Sequence, residues 1–447
     1  MGRTLRLEVA DFGDADHWRW VLKEDGGRFL DDHAVALDRA NPNYMGLVDL
    51  PSYLWRNAAP DTRDADERRL IREVGAWIGD QVLGRSLAEK LLGRAKPSVV
   101  VRVLVPPPAE RLVTIPLEIA RLEGEPLSMQ GVSFVFETAG MEPPEVDPVR
   151  DRLRILALFS LPPAGSPLNL RRERQMLREL VRYLSGAQGL GVELQVLQYG
   201  VTRDSLQDVL QQGEGWDVIH FSGHGLPGWL WLEKADGSPD EVSATELAQL
   251  LGEAGGRVKL VTLSACLSAA ASIDQTLDWL GLGQEAAPRR RAATEPAESG
   301  QEKGAPTVAR ALTETVGCAV LAMRYAVEDE FAVALARELY DRLFRQRQSL
   351  PVATRQALAS AVRPKGDGVA PGVLSAAAPA LFGSSAAELV LAPPRRRGED
   401  APDLSLAYIP KQPAHFVGRV GAMTQASAAL AGESERSGVL FNGMAGA

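Results

Sequence analysis

DVIHFSGHG, residues Asp217 to Gly225, and VKLVTLSAC, residues Val258 to Cys266, are two apolar runs. One ends in a histidine between two glycines, the other in one of only two cysteines in the chain. Each run is short, rich in β-branched and large apolar side chains, and reads as a strand buried on both faces. In open α/β sheets the functional side chains gather beyond the carboxyl ends of the strands, which is where His224 and Cys266 fall. If the two strands are neighbours, an imidazole and a thiol meet at one rim. A thiol nucleophile with its general base is the minimum set for acyl transfer, and a nearby imidazolium raises the thiolate fraction. Gly223 and Gly225, lacking side chains, let a substrate backbone approach, and the amides of Gly225 and Cys266 are candidates to receive a developing oxyanion. His220, mid-strand, is the alternative base. Cys318 begins the apolar run CAVLAM and reads as core.

Outward from these two runs the same alternation continues from Leu153 to about Val390: short apolar run, loop, amphipathic stretch. LRILALFS, VELQVLQYG and CAVLAMRYAV read as further strands, and NLRRERQMLRELVRYL as a helix with Leu170, Met176, Leu177, Leu180 and Leu184 on one stripe. AAELVLAPP is expected to add a last strand at the sheet edge. This pattern specifies an α/β class with a mostly parallel sheet flanked by helices. Upstream, DERRLIREVGAWIGDQVL reads as a helix and SVVVRVLVPP as a strand, so residues 1–150 are expected to form an N-terminal α/β subdomain, followed by a catalytic domain over 151–394. The stretch 283–306 is Ala, Pro, Glu and Arg with almost no large apolar residue and is expected to be a mobile loop. Residues 395–414 read as a linker.

Composition narrows the function classes. The chain has 447 residues and a net charge of −9, room for two to four domains and no electrostatic drive toward nucleic acid. No run approaches the roughly 20 apolar residues of a membrane span, and the expected location is the cytoplasm. Two cysteines provide no disulfide framework, and His17, His33, His220, His224 and His415 show no metal-ligand spacing. Neither metal nor cofactor is expected for the chemistry.

HFSGHG, LSAC, and then AMRYAVEDEFA leading into a long helix together resemble the CHAT family of caspase-like cysteine peptidases, relatives of caspases, metacaspases and separase. The resemblance runs from about Leu153 to Leu391, with IPLEIARLEGEPLSMQG upstream similar to the family's lead-in, except that Leu117 stands where a Trp is usual. It implies a caspase-like sheet and a cysteine endopeptidase with His224 as base, Cys266 as nucleophile, and the Gly225 and Cys266 amides as oxyanion hole. In such relatives the residue two before the cysteine lines the pocket for the side chain preceding the cut. Here that residue is Ser264, with Arg324, Tyr325 and Asp329 as further pocket candidates. Both signs of charge are present, so no preferred residue is named. The loop invites self-cleavage near Arg291, within PRRRAA. FVGR and GVLFNGMAGA, in residues 415–447, resemble the opening of a STAND, NACHT or NB-ARC type NTPase, with five positions of a phosphate-binding loop; any nucleotide would belong to the missing remainder of that domain, which could also carry oligomerisation. The implied role is the effector protease of an NTPase-regulated bacterial defence or cell-death system, cleaving a protein such as a gasdermin-like effector. The alternative is a catalytically silent caspase-like interaction module.

Overall fold

The computed structural model describes residues 3–93, 98–140, 148–162, 170–211, 214–253, 257–265, 268–270, 307–363 and 373–395. An antiparallel meander opens the chain: β1 (Arg3–Asp14), β2 (His17–Glu24) and β3 (Phe29–Ala36). Four helices follow, α1 (Pro42–Val48), α2 (Leu50–Asn57), α3 (Arg63–Trp77) and α4 (Arg85–Leu92), then β4 (Val99–Val105) and β5 (Val132–Thr138). The second half alternates: β6 (Leu153–Ser160), α5 (Leu170–Gly186), β7 (Val192–Gln198), α6 (Arg203–Gln211), β8 (Val218–Gly223). Three short strands come next, β9 (Gly225–Leu226), β10 (Trp229–Glu233) and β11 (Pro239–Ser243). The chain continues with α7 (Ala244–Gly252), β12 (Leu260–Ala265), α8 (Val308–Thr315), β13 (Ala319–Met323), α9 (Asp329–Tyr340), α10 (Leu350–Ala361) and β14 (Pro379–Phe382).

One sheet of eleven strands carries both halves, in the order β3-β2-β1-β4-β5-β14-β13-β12-β8-β6-β7. Pairing is parallel except within the opening meander and between β13 and β14. The sheet therefore runs without a break across residue 150, through the parallel contact of β14 with β5. β14 was not anticipated from the sequence. It occupies the flank of β13 and is itself covered by β5, so no edge remains there for AAELVLAPP. A 3₁₀ turn over Ser384–Ala387 leads into that stretch, which contributes only an isolated bridge at Val390, with another at Arg395 just beyond it. Pro393 and Pro394, without amide hydrogens, fit that outcome.

Burial explains why the central strands are so apolar. β6 and β8 are buried along nearly their whole length, whereas β7, at the sheet end, is half-buried throughout. The start of β8 is pinned by Asp217, a fully buried carboxylate that accepts from Lys259 Nζ at 2.9 Å, Arg257 Nη2 at 3.1 Å and the Arg154 amide at 2.9 Å. This ties β6, β8 and β12 into register at the end away from the candidate site. α7 begins with a full capping box, Ser243 and Glu246 each satisfying the other's backbone amide. Among the described residues no helix is long and apolar enough to cross a membrane.

Candidate active site

β8 and β12 are adjacent and parallel, with Ser222 opposite Ser264 and Gly223 opposite Ala265. The next residue of one strand is His224. The next residue of the other is Cys266, which lies outside the described residues, as do Arg291 and the loop 283–306. His224 is half-buried, and its ring meets that of Trp231 edge to face, 5.5 Å between centroids. Its carbonyl accepts the Trp231 amide at 3.1 Å, while Gly225 stands opposite Leu230. In an antiparallel ladder this makes Gly225–Leu230 a non-hydrogen-bonded pair. The N–H and C=O of Gly225 therefore point away from β10, toward the outer edge of β9.

Gly223 serves a different purpose from the one its sequence suggested. A side chain there would bring a Cβ within 2.6 Å of the Ser160 carbonyl oxygen on β6. The missing side chain admits a neighbouring strand, not a substrate.

Beneath the strand ends lies a polar cluster. Glu173 on α5 is 3% exposed, and His220 on β8 is fully buried. Nε2 of His220 is 3.1 Å from Glu173 Oε1, and Nδ1 is 2.9 Å from the Tyr340 hydroxyl on α9. The Ser222 hydroxyl donates to the other oxygen of Glu173, and the Ser264 hydroxyl acts on the same carboxylate. Burial alone would push the Glu173 carboxyl up, but hydrogen bonds and charge from His220, with Ser222 and Ser264, hold it below the usual glutamate range. A carboxylate can only accept, so Nε2 carries a proton and donates to Glu173, while Nδ1 faces the Tyr340 hydroxyl. His220 is thus enclosed on both nitrogens, and its place in the molecule is the interior, four residues before His224.

Past Cys266, the buried Ser268 docks the chain onto the end of β13: its hydroxyl accepts from the Met323 amide at 3.0 Å, and the Ala269 amide donates to the Met323 carbonyl at 3.0 Å. Arg324, next along, is 2% exposed. It donates to Glu118 at 2.8 Å and to the Val113 carbonyl at 3.3 Å, and lies over the Phe136 ring. Tyr325 is buried, its phenol pushed up by that burial. A substrate contact from Arg324 would require its pair with Glu118 to open. Ser264 and Asp329 are half-buried, Asp329 as the first residue of α9.

Residues 72–381 match the family model of the CHAT domain. The chain belongs to the CHAT family. This is a family of caspase-like cysteine peptidases, and the α/β sheet of the structure is of that class. Its region begins inside α3, so β4, β5 and Glu118 fall within the CHAT domain together with His224. No curated protein sequence matches the chain. Among solved structures it is similar to separase of Saccharomyces cerevisiae in complex with securin, with 10% identity and a TM-score of 0.44 over 85% of this chain and 30% of that one. It is also similar to a secreted C11 cysteine protease from Bacteroides thetaiotaomicron in complex with an irreversible peptide inhibitor, with 10% identity and a TM-score of 0.29 over 49% of this chain and 62% of the other.

Two groups of this CHAT domain escaped the sequence reading. Glu173 stands on the apolar stripe of α5, three residues from Leu170 and from Met176, and a lone acid in such a stripe was the available signal. Trp231 carries no signal of its own, because its contact with His224 comes from the β9–β10 turn.

Proposed function

We propose that the chain is a cysteine endopeptidase in which His224 takes the proton of the Cys266 thiol and the thiolate attacks a peptide carbonyl carbon. The observation that carries this is the register of β8 and β12: with Gly223 opposite Ala265, the histidine and the cysteine are the next residues at the carboxyl ends of adjacent parallel strands. The outward amide of Gly225, with that of Cys266, is suited to receive the oxygen of the tetrahedral intermediate. Collapse of that intermediate breaks the C–N bond, and the imidazolium returns its proton to the leaving amine. Water then hydrolyses the thioester, with His224 again as base. The polar layer of Glu173, His220, Ser222 and Ser264 supports both strand ends from below.

Its substrate is proposed to be a specific protein, in the setting of an NTPase-regulated defence or cell-death system. Support for that wider role is the resemblance of residues 415–447 to an NTPase opening. The decisive experiment pairs a peptide-library cleavage screen with a thiol-reactive peptide probe on the wild type, Cys266→Ala and His224→Ala. Cleavage and labelling confined to the wild type, with all three proteins equally folded, is expected. Cleavage that persists in Cys266→Ala removes the dyad. Folded wild type that neither cleaves nor labels leaves the silent interaction module.

A further inference from the structure

The small sheet beside His224 has two unlike faces. Leu226 pairs with Trp229 and Gly225 with Leu230, while β11 sets Val242 opposite Leu230 and Glu241 opposite Trp231. Paired residues share a face, and side chains alternate along a strand. Leu230, Leu232 and Val242 are on the inward face and fully buried. Leu226, Trp229 and Trp231 are on the other face, with His224 at its margin. Trp229 and Trp231 are half-buried, and Leu226 is 43% exposed. The platform is anchored: Glu233, at the end of β10, is buried and accepts the amides of Leu161 and Gly200 from the loops after β6 and β7.

The part of a substrate that reaches this face follows from the role of His224. The imidazolium must deliver its proton to the nitrogen that leaves when the C–N bond breaks. The leaving amine therefore lies against His224, and the side chain on that amine is the first to meet what surrounds the ring. Trp231 packs directly on His224, and Leu226 lies two residues further along the same face. Within the described residues the outer edge of β9 carries no partner strand, and the outward carbonyl of Gly225 can accept an amide from an extended chain passing there.

The geometry points to Leu226, Trp229 and Trp231 as the subsite for a bulky apolar residue immediately after the scissile bond, resting on the roles given above to His224 and Cys266. It is tested on the full chain with peptides that hold the residues before the cut constant and vary the first residue after it. Leucine or phenylalanine there should raise kcat/KM by about tenfold or more over glycine or aspartate, the scale of discrimination an apolar contact provides. Leu226→Asp, a change at an exposed position whose folding is checked by an unaltered melting temperature, should bring that ratio close to one. Cleavage that depends on Cys266 but shows no apolar preference overturns the subsite and leaves the dyad standing. A preference unchanged in Leu226→Asp overturns the assignment to this face. If no peptide is cleaved in a Cys266-dependent way, dyad and subsite fall together.

Discussion

The carboxylate of Glu173 and the imidazole of His220 meet at 3.1 Å in the interior, with Ser222 on the same carboxylate and Tyr340 on the far side of the ring. Two helices, α5 and α9, are thereby fastened to β8 close to where His224 emerges. An ion pair taken this far from water is held by its hydrogen bonds, and losing one member strands the other.

Glu173→Ala should lower unfolding free energy by about 3–5 kcal/mol, read from urea melts at neutral pH. The acid has a pH signature as well. Its folded-state pKa lies below the unfolded value of 4.5, so the stabilisation is fully present above about pH 4.5 and is lost as pH falls through the lowered folded value. The stability gap between wild type and Glu173→Gln should therefore narrow on acidification from pH 6 to pH 3. A gap that widens would refute the assigned ionisation.

Glu118 and Arg324 form a second buried pair, joining the turn after β4 to the end of β13. Glu118 Oε1 and Arg324 Nε have no partner among the described residues, so the pair is incompletely compensated. Arg324→Ala should cost about 3–5 kcal/mol, whereas Glu118→Leu combined with Arg324→Met should recover most of it. A double-mutant cycle by chemical denaturation checks this, and additive losses would argue against the pairing.

Cys318 is 2% exposed, and burial pushes its thiol up to about 12. At pH 8 its thiolate fraction is on the order of 10⁻⁴. Iodoacetamide should modify only Cys266 in the native protein and both cysteines after denaturation, as peptide mapping would show. Native labelling of Cys318 would contradict the packing described for β13.

Gly223→Ala places a methyl against the Ser160 carbonyl at 2.6 Å. The strands must separate or the residue must twist, at a cost of about 1–3 kcal/mol. Thermal melts should show the loss in the Cys266→Ala background too, since the defect is one of strand packing.

The order of apolar runs and amphipathic stretches was enough to determine an α/β class, the identity of β6, β7, β8, β12 and β13, and the place of His224 directly after β8. These are local properties: buried parallel strands must be apolar along their length, and a polar side chain at a strand end interrupts that pattern visibly. Only the tertiary structure decided how the halves join. β14 turns antiparallel beside β13 and pairs with β5, so that strands from both sides of residue 150 share one sheet. The same holds for the partners of single polar residues. Glu173 is 47 residues from His220 and Arg324 is 206 from Glu118, and no periodicity encodes a contact across such distances. Each buried charge finds its partner only when the helices close over the sheet, because the cost of leaving it unpaired arises only once water has been excluded.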